Sequence, residues 1–217
     1  FCILGILSAG AIYVPLDDKL PDNRLSFILE DSDSHVVIAS DETYDRVNSL
    51  CEGIILNISD LFNDDIGCLN HLPVVYGDLG CILYTSGTTG IPKVVKIRRK
   101  GINNFIDYYV NKYDMHNDST FGLFSSIGFD VGAIRSICAP IYVGASLDII
   151  PNDIRLNIDK LNKHFIDKGV THTTLPTQVA RMFINEIEST SLKVLNTGGE
   201  KLGDIVYATD YSFIDSY

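Results

Sequence analysis

Leu83-Tyr84-Thr85-Ser86-Gly87-Thr88-Thr89-Gly90-Ile91-Pro92-Lys93 continues a short apolar run, Gly80-Cys81-Ile82-Leu83-Tyr84, which reads as a buried strand. Glycines at 87 and 90 give the backbone conformations that a side chain would forbid. Successive N–H groups can then point into one concavity and bind an anion. Thr85, Ser86, Thr88 and Thr89 add hydroxyl donors, and Lys93 adds a point charge suited to phosphate. A Ser/Thr/Gly-rich surface turn has the same composition, but the full string is more specific than its composition. It is not the Walker A loop, G-x-x-x-x-G-K-[ST], because Gly90 is followed by Ile91-Pro92-Lys93. That departure sets aside a P-loop NTPase.

On both sides of this loop the pattern alternates between strand and helix. Before it, 1–10 reads as the end of a helix closed by Gly10, and 11–17 as a strand into a turn. A helix begins at Pro21 with Asp22 in its first turn and Leu25, Ile28 and Leu29 on its buried face. Strands are expected at 35–39 and 53–58, a helix at 41–50, and an acidic, irregular surface connection over 57–78. After the loop come a strand at 94–97 and a helix at 102–113 with Ile102, Phe105, Ile106, Tyr109, Val110 and Tyr113 on one face. Strands at 120–124, 145–150, 171–175 and 192–196 alternate with helices at 130–142, 158–168 and 177–187. Ile158, Leu161, Phe165 and Ile166 stripe the second of these helices, and Gly169 ends it. The alternation predicts an α/β fold of largely parallel sheets covered by helices. Ligands in such sheets sit beyond the carboxyl ends of the strands.

The 217 residues are 46% hydrophobic and 21% charged, a globular composition long enough for one core or two small lobes. A net charge of −11 argues against a nucleic-acid partner. The one basic cluster, Lys93, Lys96, Arg98, Arg99 and Lys100, reads as a solvated strand end. The five cysteines form no C-x-x-C pair and read as reduced core thiols of a cytoplasmic protein. No apolar run reaches the roughly 18 residues of a membrane span. The chain opens without methionine, and no basic segment precedes its apolar start, so it is expected to be a fragment of something longer.

The loop resembles the phosphate loop of the adenylate-forming superfamily, YTSG[TS]TGxPKG, and ten of the eleven positions match. Val94 departs from the usual glycine. Three further segments resemble motifs of the same family in the family's order. Leu7-Ser8-Ala9-Gly10-Ala11-Ile12-Tyr13-Val14-Pro15-Leu16-Asp17 is similar to L-K-A-G-x-A-Y-V-P-I-D of peptide-synthetase adenylation domains, and on residues alone it is a helix–strand joint. Phe129-Asp130 is similar to F-D-x-S of amino-acid-activating domains, with Gly128 and Gly132 departing from common serines. Asn196-Thr197-Gly198-Gly199-Glu200-Lys201-Leu202 is similar to the family's G-G-E/A-G-x-x-L turn. The last residues, 213–217, stand where the family has N-x-Y-G-P-T-E.

The resemblance implies an amino-acid adenylation domain of a nonribosomal peptide synthetase, with residues 1–217 a partial large N-terminal subdomain. Thr85 and Lys93 would be catalytic, and Thr85, Ser86, Gly87, Thr88, Thr89, Gly90 and Lys93 would hold the ATP phosphates. Asp130 would pair with the substrate ammonium; read without the family, it is a helix N-cap. Val131, Ile134, Thr174, Asn196, Gly198 and Ser216 would line the amino-acid pocket. Asn196 has two readings, a hydrogen bond to a polar substrate side chain or a strand-end cap. Gly198, Gly199, Glu200, Asp215 and Tyr217 would border the adenosine, with Tyr217 stacked on adenine and Asp215 in place of the usual asparagine. No protein metal ligand is implied within the chain. The implied cofactors are ATP, Mg2+ and the phosphopantetheine of a carrier-protein domain. The implied partners are an amino acid and that carrier domain, with no nucleic acid and no membrane. The ribose-binding aspartate and the C-terminal lid of the family would lie beyond residue 217, so the fragment alone is expected to fold but turn over poorly. Two rivals remain: an acyl-CoA or aryl-acid ligase on the same fold, and a catalytically dead interaction domain.

Overall fold

The computed structural model describes residues 1–63, 77–85, 92–128, 131–198, 200 and 212–215. Contacts group the chain into two units, Phe1–Lys100 and Gly101–Tyr217.

In the first unit, α1 (Cys2–Ser8) ends near Gly10, whose φ of 75° lies in the left-handed region that glycine permits. The strand expected at 11–17 shrinks to an isolated parallel bridge between Tyr13 and Cys81. Tyr13 N donates to the Gly80 carbonyl and Ile82 N to the Tyr13 carbonyl, each at 3.0 Å. Pro15 has no N–H to carry the ladder further. Helix α2 (Asp22–Asp31) buries Leu25, Ile28 and Leu29 as its spacing predicts. Strands β1 (Val36–Ala39) and β2 (Ile54–Asn57) pair in parallel around α3 (Asp41–Asn48), which opens with a Ser40–Thr43 capping box.

The irregular connection expected from residue 57 contains a helix, α4 (Ile58–Asn63). Asn57 Oδ1 accepts from Ser59 N at 2.9 Å, and the Asp41 carboxylate accepts from Asn57 Nδ2 at 2.7 Å and from Ser59 Oγ at 2.8 Å. These short polar residues supply N-terminal hydrogen bonds to a helix whose sequence looks like a loop. Residues 64–76 of that connection lie outside the described residues. Strands β3 (Leu79–Thr85) and β4 (Lys93–Arg98) form an antiparallel pair running from Leu79↔Arg98 to Thr85↔Lys93. This pair departs from the parallel rule because so short a connection cannot make a crossover.

The second unit begins within the first turn of α5 (Arg99–Lys112), which buries Ile102, Ile106, Tyr109 and Val110. Its sheet comprises β5 (Thr120–Leu123), β6 (Ser146–Ile149), β7 (His172–Thr174), β8 (Val194–Thr197) and β9 (Ser212–Asp215). The spatial order is β6-β5-β7-β8-β9, and every pairing is parallel. From β5 the chain steps outward to β6 and then returns to the other side with β7. The order therefore reverses between β5 and β7, where such sheets open a crevice at their carboxyl ends.

The single helix expected at 130–142 is a π-helix (Val131–Cys138) running into α6 (Ala139–Tyr142). Pro140, in the first turn of α6, carries no N–H, so the change of pitch there costs no donor. Gly132 lies so close to the preceding loop that a Cβ would sit 2.6 Å from the Ser126 carbonyl carbon and 3.0 Å from Ile127 Cα. Only glycine permits that approach, which accounts for Gly132 where serine was expected.

Helices α7 (Ile158–Lys168) and α8 (Thr177–Glu186) cover the sheet around Phe124, Ile150, Leu161, Phe165, Phe183 and Leu195. The rings of Phe165 and Phe183 lie 5.7 Å apart. Asn157 caps α7 by accepting from Lys160 N at 3.0 Å, and Gly169 closes it at φ 63°. Ile166, expected in the apolar stripe of α7, is 52% exposed, and Ile158, Leu161 and Phe165 alone make the buried face.

Candidate functional site

The hairpin of the first unit holds both ends of the phosphate-type loop. Thr85 and Lys93 are register partners at its open end, both exposed, and Thr85 Oγ1 lies 3.4 Å from the Lys93 carbonyl as a donor. Ser86, Gly87, Thr88, Thr89 and Gly90 lie outside the described residues. Val94 sits inside β4 opposite Tyr84, so it belongs to the strand that anchors the loop. Tyr84 is itself anchored. Its hydroxyl donates to Asp31 Oδ2 at 2.7 Å, and its ring meets Phe27 edge-on at 6.5 Å. Burial, with the Asp31 carboxylate beside it, pushes the Tyr84 phenol well above its ordinary pKa and keeps it neutral.

Among the basic residues of this region, Arg99 ties backbone segments together. Its guanidinium donates to the carbonyls of Leu7 at 3.1 Å, Ala11 at 2.7 Å and Gly77 at 3.2 Å. Arg98 pairs with Asp78 at 3.2 Å on the surface. Lys93, Lys96 and Lys100 are exposed, as a solvated strand end requires.

In the second unit the remaining candidates among the described residues gather at the carboxyl edge of the parallel sheet. Val131 opens the π-helix after β5, and Ile134 is buried on it. Asp130 lies outside the described residues. Thr174 is the last residue of β7 and the register partner of Asn196 in β8, which puts the two side chains on one face of the sheet. Thr174 is 4% exposed and Asn196 fully buried. Gly198 follows β8, and its carbonyl accepts from Thr177 Oγ1 at 3.3 Å. Glu200 is tied to the start of α8 by Gln178 Nε2, 3.1 Å from Glu200 Oε2. Asp215 ends β9 opposite Thr197. Gly199, Ser216 and Tyr217 lie outside the described residues.

Two residues not singled out as candidates in the sequence join this edge. Tyr109 of α5 is 2% exposed, and its hydroxyl accepts from Asn196 Nδ2 at 2.7 Å. Its ring stacks with Phe105 at 5.7 Å and meets Tyr113 edge-on at 4.7 Å. The Arg135 guanidinium lies 5.4 Å from the Tyr109 ring centre and 5.7 Å from that of Phe105, within cation–π range. Burial pushes the Tyr109 phenol up to about 12, against the opposing pull of Arg135. Tyr109 was legible only as part of an apolar face; the signal for more is that a buried tyrosine hydroxyl needs a polar partner. Asn196 bonds to a side chain through its amide nitrogen, so it does not act as a strand-end cap through that nitrogen.

A parallel sheet with polar groups at its carboxyl edge makes this an α/β domain of the kind that binds ligands there, and the chain also carries the phosphate-type loop. The family model described as AMP-binding enzyme matches residues 1–209, and the chain belongs to that family. Surfactin synthase subunit 1 of Bacillus subtilis (strain 168) is 35% identical over 222 residues, which is 99% of this chain and 6% of that protein. The N-terminal subdomain of Klebsiella oxytoca NpsA, solved in complex with 3-hydroxybenzoyl-AMSN, superposes with a TM-score of 0.76 at 22% identity over 91% of this chain and 50% of that one. The nonribosomal peptide synthetase FmoA3, in its alpha-methyl-L-serine-AMP bound form, gives 0.76 at 20% identity over 93% and 23%. The family and the α/β fold class expected from the sequence are both borne out. The chain spans only 6% of the length of the surfactin synthase subunit.

Proposed function

We propose that residues 1–217 are part of the large N-terminal subdomain of an amino-acid adenylation domain in a nonribosomal peptide synthetase. The domain activates an amino acid with ATP to aminoacyl-AMP and pyrophosphate, and the aminoacyl group then passes to the phosphopantetheine thiol of a carrier domain. The observation that carries this reading is the placement of the candidates in the second unit. Residue 130 precedes the π-helix that follows β5, Thr174 ends β7, Asn196 and Gly198 close β8, and Asp215 ends β9. Thr174, Asn196, Gly198 and Asp215 stand at the carboxyl edge of one parallel sheet, where this architecture binds ligands.

In this reaction a carboxylate oxygen attacks the α-phosphorus of ATP, a new oxygen–phosphorus bond forms, and the bond to pyrophosphate breaks. The protein's contribution is positioning and charge stabilisation. Thr85, Ser86, Thr88, Thr89 and Lys93 hold the β- and γ-phosphates, and Gly87 and Gly90 give the loop backbone its conformational freedom. Asp130 holds the ammonium and thereby aims the carboxylate. Val131, Ile134, Thr174, Asn196, Gly198 and Ser216 face the side chain, and Gly198, Gly199, Glu200, Asp215 and Tyr217 border the adenosine. Magnesium, held by the triphosphate, supplies charge neutralisation. A cytoplasmic setting agrees with the free state of Cys2, Cys51, Cys81 and Cys138. Among the described residues no helix is long and apolar enough to cross a membrane, and the charge of −11 disfavours nucleic acid.

Amino-acid-dependent ATP–pyrophosphate exchange by the full-length protein that carries this chain tests the reading. A panel of amino acids is run beside matched acids lacking the amine. Exchange with an amino acid, abolished by Asp130→Ala, is the expected result. Exchange only with amine-free acids would make the protein an acyl- or aryl-acid ligase, and no exchange would leave an inactive interaction domain. Residues 1–217 alone are expected to exchange little.

A further inference from the structure

Three polar atoms at the carboxyl edge of the parallel sheet are buried and have no hydrogen-bond partner among the described residues: Asn196 Oδ1, Thr174 Oγ1 and Arg135 Nε. Buried polar atoms are nearly always paired, so such a cluster calls for an explanation. Register places Thr174 beside Asn196, and Arg135 lies over the Tyr109 ring that holds the Asn196 amide. The unpaired atoms therefore belong to one neighbourhood.

The hydrogen bond from Asn196 Nδ2 to the Tyr109 hydroxyl fixes the amide. It uses the nitrogen and leaves the oxygen, an obligate acceptor, to face whatever comes. Thr174 lies beside the same hydroxyl and approaches it as a weak donor, which lowers the phenol pKa, but the lone pairs of its Oγ1 accept from nothing among the described residues. A carboxylate side chain would gain the Arg135 guanidinium, but it offers only acceptors and would set a charged oxygen against Asn196 Oδ1. A cationic side chain would meet the Arg135 guanidinium. An aliphatic side chain would leave all three atoms unsatisfied. A carboxamide answers each of them: its NH2 donates to Asn196 Oδ1 and Thr174 Oγ1, and its oxygen accepts from Arg135 Nε.

We propose that this cluster selects an amino acid with a neutral, hydrogen-bond-donating side chain, a carboxamide above all, and that Tyr109 is a positioning residue that holds the Asn196 amide with its oxygen toward the substrate. The proposal rests on the adenylation reading and narrows its substrate class.

The test is pyrophosphate exchange by the full-length protein with matched sets: asparagine, aspartate and leucine; glutamine, glutamate and methionine. The carboxamide of at least one set is expected to exceed its charged and aliphatic partners at least about 100-fold in kcat/KM, because a site built to hydrogen-bond a substrate rejects the analogue lacking the group. In Tyr109→Phe the carboxamide-to-carboxylate ratio is expected to fall at least tenfold as the amide turns freely. That ratio is taken within one variant, so a smaller folded fraction does not move it, and a purely structural role for Tyr109 would leave it unchanged. Asn196→Leu is expected to shift preference toward the aliphatic member. Exchange that favours leucine, methionine or a charged amino acid in the wild type would overturn the proposal and leave the adenylation reading standing, as would an unchanged ratio in Tyr109→Phe for the positioning role. Exchange with no amino acid at all would overturn both.

Discussion

Thr85 and Lys93 stand at the exposed end of a two-stranded hairpin, whereas Thr174 and Asn196 stand at the buried end of a five-stranded parallel sheet. The two regions are built to hold polar groups by different means. In the hairpin, strand pairing fixes the ends of a loop, and the chemical groups face water, where leaving them unpaired costs little. In the sheet, the polar groups are desolvated, so each must be hydrogen-bonded by the fold or by a ligand. Chemistry and stability are therefore separable in the hairpin and entangled in the sheet, and substitution in each region should show the difference.

The largest effect is expected from the layer that supports the sheet. Phe183 of α8 is fully buried against Phe165. Phe183→Ala should cost about 3–5 kcal/mol, seen as a lower urea midpoint, with exchange activity falling only as the folded fraction falls. Activity lost well ahead of folding would tie α8 directly to the chemistry and weaken the contrast.

The hairpin should respond in the opposite way. Lys93→Ala is expected to lower pyrophosphate exchange by about 10²–10³-fold, which is about 2.7–4 kcal/mol at the transition state. Its melting temperature should match the wild type, because the side chain is exposed and surface substitutions usually stay within about ±0.5 kcal/mol. Lys96→Ala, on the same exposed strand, is the control and should change neither quantity. Equal losses from Lys93→Ala and Lys96→Ala would reduce the role of Lys93 to general surface charge.

The same contrast governs what the sequence made legible. The periodicity of α2 gave Leu25, Ile28 and Leu29 correctly, because one apolar face against one core leaves a 3.6-residue signature. Four of the five parallel strands followed from the alternation of apolar runs with helical stripes, whereas β9 was not expected as a strand. What stayed hidden depended on tertiary partners. The 11–17 segment lost its ladder beyond Tyr13, and α4 arose within an acidic stretch from capping by Asn57, whose side chain Asp41 holds in place. The π-helix depends on how closely Gly132 approaches Ser126, a distance no local pattern encodes. At the site, Thr174 and Asn196 were legible as strand-end polar residues. Their partner Tyr109 was not, since it lies 87 residues from Asn196 and reads as one more aromatic on a buried face.

The smallest effect concerns acid, and it belongs to the sheet alone. His172 opens β7 and is 1% exposed. Its Nε2 faces the Tyr113 carbonyl at 2.9 Å, and a carbonyl only accepts, so Nε2 carries the proton. Its Nδ1 lies 2.8 Å from Thr171 Oγ1, which can donate to it. Thr171 has a single hydroxyl proton, shared between Nδ1 and the Thr120 carbonyl at 3.1 Å, so the neutral ring is paired at Nε2 and shares a donor at Nδ1. Burial lowers the His172 pKa below its ordinary 6.5, while the Tyr113 carbonyl opposes that shift. Below pH 6.5 the unfolded chain therefore binds a proton that the folded chain refuses. The associated stability is present above that pH and is lost as the pH falls toward the folded-state value. The melting temperature should drop between pH 7.5 and pH 5.5, and His172→Asn should show a smaller drop over the same interval. Equal drops in the two proteins would move the acid sensitivity elsewhere and leave the buried sheet no more proton-sensitive than the exposed hairpin.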